Sequence, residues 1–237
     1  MIIKVLSYNI HKGRSFFLRH RTWGALDKLV HEIEPDIIFL QEFLIEPQAE
    51  KLLEKFADKL WPHYSFGQNA TMGDYHYGNA ILSKYPFVET HSTDISNNAL
   101  EKRGLLYGKV KVLDNRALYL FCSHLDLTYK GRKNQISKIE KVTSALTESE
   151  DHVIIAADFN DWDNRLHPEI ESKLNVKETS SSVNGFLAPT SPSIYPKFSL
   201  DRIYCRNLRA VSTQILSSKY LRILSDHLPV VSEFEIL

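Results

Sequence analysis

The sequence predicts one α/β domain over residues 1–237. Apolar runs of strand length are interspersed with segments of helical periodicity from one end to the other. Hydrophobic residues make up 43% and charged residues 24% of the 237. Those are globular proportions, and a chain this long can bury a core without staples. No internal repeat, low-complexity tract or linker interrupts the pattern.

The elements follow in order. Ile2–Tyr8 is an apolar run read as a strand. Thr22–Glu34 places Trp23, Leu26, Leu29, Val30 and Ile33 at helical spacing, and Pro35 ends it. Asp36–Gln41 reads as a buried strand and Ala49–Lys59 as a second helix. Gly78–Ser83, Leu105–Leu113 and Leu118–Ser123 are strand-like. Gln135–Leu146 carries Ile136, Ile139, Val142 and Leu146 on one helical stripe. Val153–Ala157 is a short buried strand. Asn160 to Leu200 is polar, punctuated by Pro189, Pro192 and Pro196, and is expected to be a long functional loop. Leu200–Cys205, Ala210–Leu216 and Val230–Ile236 complete the strands.

Composition narrows the function classes. Lys plus Arg equals Asp plus Glu at 29 each, so a broad basic face for nucleic acid is not expected, although a local phosphate grip is compatible. Cys122 and Cys205 sit in apolar runs and are expected as buried free thiols. The N-terminus lacks a basic region followed by a long apolar stretch, and no run of about 18 apolar residues exists. A cytoplasmic protein is therefore expected. There is no GxxxxGK[ST] loop, GxSxG elbow or HExxH pair.

The strand ends hold an unusual inventory. Strand one ends at Ser7-Tyr8-Asn9, the next at Gln41-Glu42, and later strands at Ser123-His124 and Asp158-Phe159-Asn160. Asp201 opens a strand, and Ser225-Asp226-His227 immediately precedes Leu228-Pro229-Val230. Strand termini hold side chains rigidly, which is where α/β folds build their sites. Any one of these residues is more often a turn or cap; their joint occurrence carries the argument. The types suit metal-assisted phosphoryl transfer. Glu42 is a hard oxygen ligand for Mg²⁺ or Mn²⁺, with Asp158, Asp201 and Asp226 adding carboxylates. His124 and His227 can exchange protons or stabilise phosphoryl charge. Asn9 and Asn160 can donate to phosphate oxygens without adding charge repulsion.

These residues, in this order, resemble the endonuclease/exonuclease/phosphatase superfamily, the DNase I-like Mg²⁺-dependent phosphohydrolases. The matching stretches are SYNIH (7–11), LQE (40–42), YGNAILSKYP (77–86), RGLLYGKV (103–110), SHLD (123–126), AADFND (156–161), LDRIY (200–204) and SDHLPV (225–230). The resemblance implies a four-layer α/β sandwich, two mixed β-sheets packed face to face and flanked by helices. It implies Glu42 as principal metal ligand, with Asn9 and Asp226 beside the ion. It implies Asp158 and Asn160 positioning the attacking water and the phosphate. His227 would be general base or water holder, with Asp201 fixing its tautomer, and His124 would donate to the phosphate or leaving group. Arg103 and Asn79 are candidates for the substrate pocket. His124 stands where abasic-site endonucleases place Tyr and where the DNase I and sphingomyelinase branches place His. The small bacterial branch with LDRIY after a TxPS-like segment, here Thr190-Ser191-Pro192-Ser193, matches best.

The implied reaction is phosphodiester hydrolysis by in-line water attack. A nuclease is favoured on local basic groups: Lys130, Arg132, Lys133 and Lys138 at one helix start, and Arg202, Arg206 and Arg209 near the site. The alternative is a phospholipid-headgroup phosphodiesterase, with Phe16-Phe17-Leu18 between Arg14 and Arg19-Arg21 touching an anionic membrane. A catalytically silent scaffold that binds phosphate ligands is the second alternative. Trp162, Phe186 and Tyr195 could stack bases, cover a headgroup or fill the loop's own core.

Overall fold

The computed structural model describes residues 1–15, 22–45, 60–112 and 116–236. The strands are β1 (Ile2–Asn9), β2 (Ile37–Ile45), β3 (His63–Met72), β4 (Tyr75–Ser83), β5 (Phe87–Asp94), β6 (Gly104–Lys111), β7 (Ala117–His124), β8 (His152–Asp158), β9 (Lys177–Glu178), β10 (Asp201–Arg206), β11 (Leu208–Ile215) and β12 (Val230–Ile236). The helices are α1 (Trp23–Ile33), α2 (Tyr129–Leu146), α3 (His167–Leu174), α4 (Thr179–Asn184) and α5 (Leu221–Leu224).

The strands form two six-stranded sheets, ordered β11-β12-β1-β2-β4-β3 and β5-β6-β7-β8-β10-β9. Each has one parallel pair, β1 with β2 and β7 with β8, among antiparallel neighbours. Period-2 alternation sorts the apolar residues onto two faces. Ile3, Val5, Ile37, Phe39, Leu118, Leu120, Ile154, Ala156 and Ile203 meet in the layer between the sheets. Leu6, Tyr8, Ile38 and Leu40 face outward onto Leu26, Leu29 and Val30 of α1. Tyr119, Phe121, Val153 and Ile155 face outward onto α2 and α3 through Ile136, Ile139 and Ile170. The result is the four-layer mixed-sheet α/β sandwich expected above. Cys122 and Cys205 are free and buried.

Local chemistry sets the boundaries. Thr22 precedes α1, its backbone carbonyl accepting from the Ala25 and Leu26 amides, and Glu34 ends the helix in the left-handed region at φ 50°. α2 begins at Tyr129, six residues before the expected start at Gln135. Thr128 Oγ1 accepts from Gly131 N at 3.1 Å, while Asp126 Oδ1 accepts from Thr128 N at 2.7 Å, and this cap starts the helix. Residues 160–200 correct the expectation of one long loop, because α3, β9 and α4 lie within them. Their polar, Ser/Thr-rich composition hides the helices; Pro168 sits in the first turn of α3, where a missing N–H costs nothing. β3 and β5 also escape the pattern. β5 lies at a sheet edge with mostly exposed side chains, so burial imposes no alternation on it. The helix expected at Ala49–Lys59 and the apolar tip Phe16-Phe17-Leu18, with Arg19 and Arg21, lie outside the described residues.

Candidate active site

The site continues the alternation of the inner layer. Ile3, Val5 and Ser7 point between the sheets, and the next residue in phase on β1 is Asn9. In the same way Gln41 follows Ile37 and Phe39, His124 follows Leu120 and Cys122, and Asp158 follows Ile154 and Ala156. Asp201 precedes Ile203 and Cys205 on β10 and pairs in register with Asp158. Where the apolar layer runs out, the same face becomes polar. Asn9, His124, Asp158, Asp201 and His227 are each buried there.

Glu42 reaches the cluster by another route. The β2–β4 register shifts between Leu40 and Phe43, and Glu42 sits in this bulge at φ 53°. A bulge re-aims a side chain, and a left-handed non-glycine residue is a form of stored strain common at functional sites. Glu42 Oε1 lies 3.9 Å from His124 Nδ1.

Asp158 is the hub. Its Oδ2 accepts from Asn9 Nδ2 at 2.9 Å and its Oδ1 from the Asn160 amide at 3.0 Å. His124 Nε2 lies 3.4 Å and His227 Nε2 3.8 Å from Oδ2. His227 Nδ1 meets Asp201 Oδ2 at 2.7 Å, and the same oxygen accepts from Thr190 Oγ1 at 2.6 Å. Asn160, left-handed at φ 49°, is pinned by its Nδ2 donating to Leu125 O. Asp226 lies on the rim, with His11 Nδ1 3.3 Å from Oδ1. Asp158, Asp201 and His227 offer one ligand atom each within 4.8 Å of one another, a grouping able to hold an ion.

The proton positions follow from partners and burial. Arg103 NH1 donates to His124 Nδ1 at 3.0 Å, so the neutral ring carries its proton on Nε2. Burial, then the Arg103, His227 and Lys12 charges, hold His124 well below the usual imidazole range. For His227, burial works against the charged ring, but Asp201, Asp158 and Asp226 outweigh it and push it up. Burial raises the Asp158 carboxyl, and the neighbouring Asp201 charge adds to that, while His227 and the Asn160 and Asn9 hydrogen bonds oppose it. Asp226 is held below the usual carboxylate range: burial opposes this, and the His11 hydrogen bond and the His227 charge overcome it.

The structure thus brings together Asn9, Glu42, His124, Asp158, Asn160, Asp201 and His227, with Asp226 on the rim. Arg103 joins them through His124. Asn79 is buried beside it, donating to Gly104 O at 3.1 Å. Sequence reasoning did not assign roles to Thr190, His11 or Tyr77. The Thr190 segment ties the start of β10 to the 225–229 loop: Asp201 N donates to Thr190 Oγ1, Ser193 N to Asp226 O and Leu228 N to Thr190 O. Its TxPS likeness was the one signal that pointed to it.

Of the seven basic groups expected to favour nucleic acid, Arg132, Lys138, Arg202, Arg206 and Arg209 are engaged with partners inside the chain. Arg202 is 1% exposed and points away from the site phase, paired to Asp161 at 3.2 Å. Arg206 and Arg209 lie at the strand ends away from the site; Arg206 binds Thr147 Oγ1, and Arg209 pairs with Glu235. Arg132 is buried on the Leu127 carbonyl, and Lys138 donates to the Ile95 and Ser96 carbonyls. Period and proximity in sequence do not reveal such internal partners. Trp162 packs on Phe198 with ring centroids 5.0 Å apart, while Phe186 and Tyr195 are mostly exposed.

Comparison with known proteins places this two-sheet sandwich, with its carboxylate–imidazole cluster at the end of the inner layer, among phosphoesterases. The endonuclease/exonuclease/phosphatase family matches residues 6–227, and the chain belongs to that family. Its members are hydrolases acting on phosphoesters. Among individual relatives, the Escherichia coli (strain K12) protein called uncharacterized protein YbhP is 32% identical over 244 residues, covering 98% of this chain and 96% of its own. The mannosyl-6-phosphatase Bt3783 of Bacteroides thetaiotaomicron VPI-5482 superimposes with a TM-score of 0.76 at 19% identity, covering 98% of this chain and 99% of its own. D. rerio TDP2, solved with a single-strand DNA product, gives 0.72 at 18% identity with 99% of each chain covered. At these identities the two structures share the fold.

Proposed function

We propose that the chain is a divalent-metal-dependent phosphodiester hydrolase that uses in-line water attack without a covalent intermediate. The observation that carries this reading is the setting of Asp158. A buried carboxylate, fixed by Asn9 and the Asn160 amide, lies between two imidazole Nε2 atoms, one of them anchored by Asp201.

The donor set fits a hard cation at the Glu42 end. The bulge directs Glu42 at the cluster, yet its carboxylate accepts no hydrogen bond from any described residue. Glu42, Asp226 and the Asn9 amide would hold Mg²⁺ or Mn²⁺. When bound, the ion supplies charge neutralisation at the phosphoryl oxygens. The Asp158–Asp201–His227 grouping suits it less, because His227 Nδ1 and Asp201 Oδ2 are already engaged with each other and with Thr190.

The residues then divide the work. Asp158, raised toward neutral pH, takes the proton of the attacking water. His227, held charged by Asp201, donates from Nε2 to a non-bridging oxygen. His124, neutral with its proton on Nε2, faces the same space and donates to the phosphate or the departing oxygen.

A nucleic-acid diester is the first candidate substrate. The D. rerio relative was solved with single-strand DNA product and the Bacteroides relative is named a phosphatase, so ester hydrolysis is what they have in common. The test is turnover of supercoiled plasmid and of bis(4-nitrophenyl) phosphate, with Mg²⁺ and with chelator, by wild type and His227→Ala. Metal-dependent turnover that falls roughly 10²–10⁴-fold in the variant is expected. Turnover indifferent to chelator and to His227 would overturn the proposal. Intact plasmid with cleavage of the small diester would move phospholipid headgroups ahead of nucleic acid, read by headgroup release from liposomes.

A further inference from the structure

A cavity of about 680 Å³ opens beside the catalytic cluster, between the β3–β4 hairpin, the turn after β1 and the segment leading into β6. That volume suits a small molecule or one nucleotide unit rather than a duplex. Arg103 lines it and belongs to both places, because its NH1 also holds His124 at 3.0 Å. Tyr77, another lining residue, senses the charges of Glu42 and Asp158 on one side and Arg103 on the other. A ligand seated with its phosphoryl group on Asp158 would therefore extend into this cavity.

The cavity's charge differs from that of the rest of the site. Lys12, Lys102 and Arg103 line it, and the sole acid among the described lining residues is Glu101. Glu101 is already engaged by Arg103 NH2 at 2.5 Å. Neither Lys12 nor Lys102 has a carboxylate partner among the described residues; Lys12 Nζ instead lies 5.8 Å from the Tyr77 ring centroid. Arg103 is 7% exposed, and its Nε has no hydrogen-bond acceptor. The remaining polar wall, Gln68, Asn69 and Thr71, is uncharged, and Asn69 Oδ1 is buried without a donor. A protein with zero formal net charge has thus placed two ammonium groups without a close ion-pair partner among the described residues, Lys102 sensing only the Asp94 charge, and an under-bonded guanidinium around one recess next to a carboxylate-rich centre.

We infer that this recess binds a second anionic group of the substrate, a phosphate separated from the scissile one by a sugar-sized spacer. The inference rests on the phosphodiesterase reading and narrows it: the substrate carries two phosphoryl groups. A nucleotide chain and a small bisphosphorylated sugar share that chemistry.

The probes are thymidine 5′-(4-nitrophenyl phosphate) and the same ester bearing a 3′-phosphate. Both release the same 4-nitrophenolate, so only the distal anion differs. In wild type the 3′-phosphate should lower KM about tenfold, equivalent to about 1.4 kcal/mol. In Lys12→Gln/Lys102→Gln the ratio between the two esters should shrink to within about twofold, and in Lys102→Gln it should be intermediate. A parallel calorimetric titration compares thymidine 3′,5′-bisphosphate with thymidine 5′-monophosphate on the metal-loaded protein, where the same preference and the same loss are expected. A wild-type preference below twofold, or one that survives in the double variant, overturns the inference. Absence of turnover of every ester, with the calorimetric preference intact and lysine-dependent, sinks the hydrolase reading and leaves the anion site standing. The two sources are separated by a third arm, a 5′-phosphorylated oligodeoxynucleotide against hexose bisphosphate as competitors. Stronger competition by the oligonucleotide assigns a nucleotide chain, and by the hexose a small sugar phosphate.

Discussion

Replacing Arg202 by Met strips a buried charge of its partner, and the structure sets the expected cost. Arg202 is 1% exposed. Its guanidinium donates to Ser199 O at 2.8 Å, Asp161 Oδ2 at 3.2 Å, Asp161 O at 3.3 Å, Asn164 Oδ1 at 2.6 Å and Tyr204 OH at 3.3 Å. Asp161 is fully buried, and its Oδ1 already lacks a donor. Without Arg202, Asp161 keeps only the Leu166 amide, at 3.1 Å, on its other oxygen. Removing one partner of a buried pair costs about 3–5 kcal/mol, because the remaining charge stays desolvated. For a chain of this size that is a fall in Tm of roughly 6–20 °C. Urea melts with an unchanged m-value, together with calorimetry, read the loss. Arg202→Met/Asp161→Leu should regain most of it, because deleting the pair together is often near neutral. A loss below about 1 kcal/mol in Arg202→Met, or a double variant no better than the single, would refute the reasoning.

Three further outcomes are expected. Gly78→Ala drives a Cβ into the Gly67 carbonyl oxygen across the β3–β4 pair, so backbone must move; a loss of about 1–3 kcal/mol in a urea melt is expected, whereas Gly24→Ala, with nothing within 4 Å on α1, should gain about 0.5–1. Asp126 has its carboxyl held below the usual range: burial opposes this and is outweighed by the Thr128 amide, Asn97 and the Thr128 hydroxyl. A depressed folded pKa contributes stability above the unfolded value near 3.9 and loses it as pH falls through the folded value. Asp126→Asn should therefore be less stable at pH 7 and lose less than wild type between about pH 4 and pH 2, so parallel acid limbs would rule the linkage out. Glu42→Gln should raise the Mg²⁺ concentration for half-maximal turnover by at least roughly 10-fold and weaken the Mg²⁺-dependent rise in Tm; an unchanged metal titration would remove Glu42 from the ligand set.

Much of the candidate site was legible because its residues obey the same alternation as the core. The phase of Ile3 and Val5 leads to Asn9, that of Leu120 and Cys122 to His124, and that of Ile154 and Ala156 to Asp158. Reading the polar residue at the end of each apolar run therefore found them. The order of the eight short motifs then pointed to the family and to a two-sheet sandwich. Glu42 was found through its motif, but nothing local announces the bulge that redirects its side chain. Thr190 stands eleven residues from Asp201 and carries no periodic signal, so its hydrogen bond was invisible. The 160–200 segment failed for the opposite reason: its helices are too short for a periodic pattern to stand out, and the single stripe of Leu166, Ile170 and Leu174 is set among polar residues and prolines.

By itself, the sequence determined most strands of the buried layers and the helices α1 and α2, because burial imposes a period that is written locally. It also determined which polar residues terminate those runs. Tertiary structure alone decided where charge goes. Arg202 looks like a cation near the site and is an internal tie to Asp161, while Lys12 and Lys102, far apart in the chain, line one recess without a close ion-pair partner among the described residues. A side chain's period fixes its face, but its electrostatic role depends on partners brought from distant segments, and only the folded arrangement supplies them.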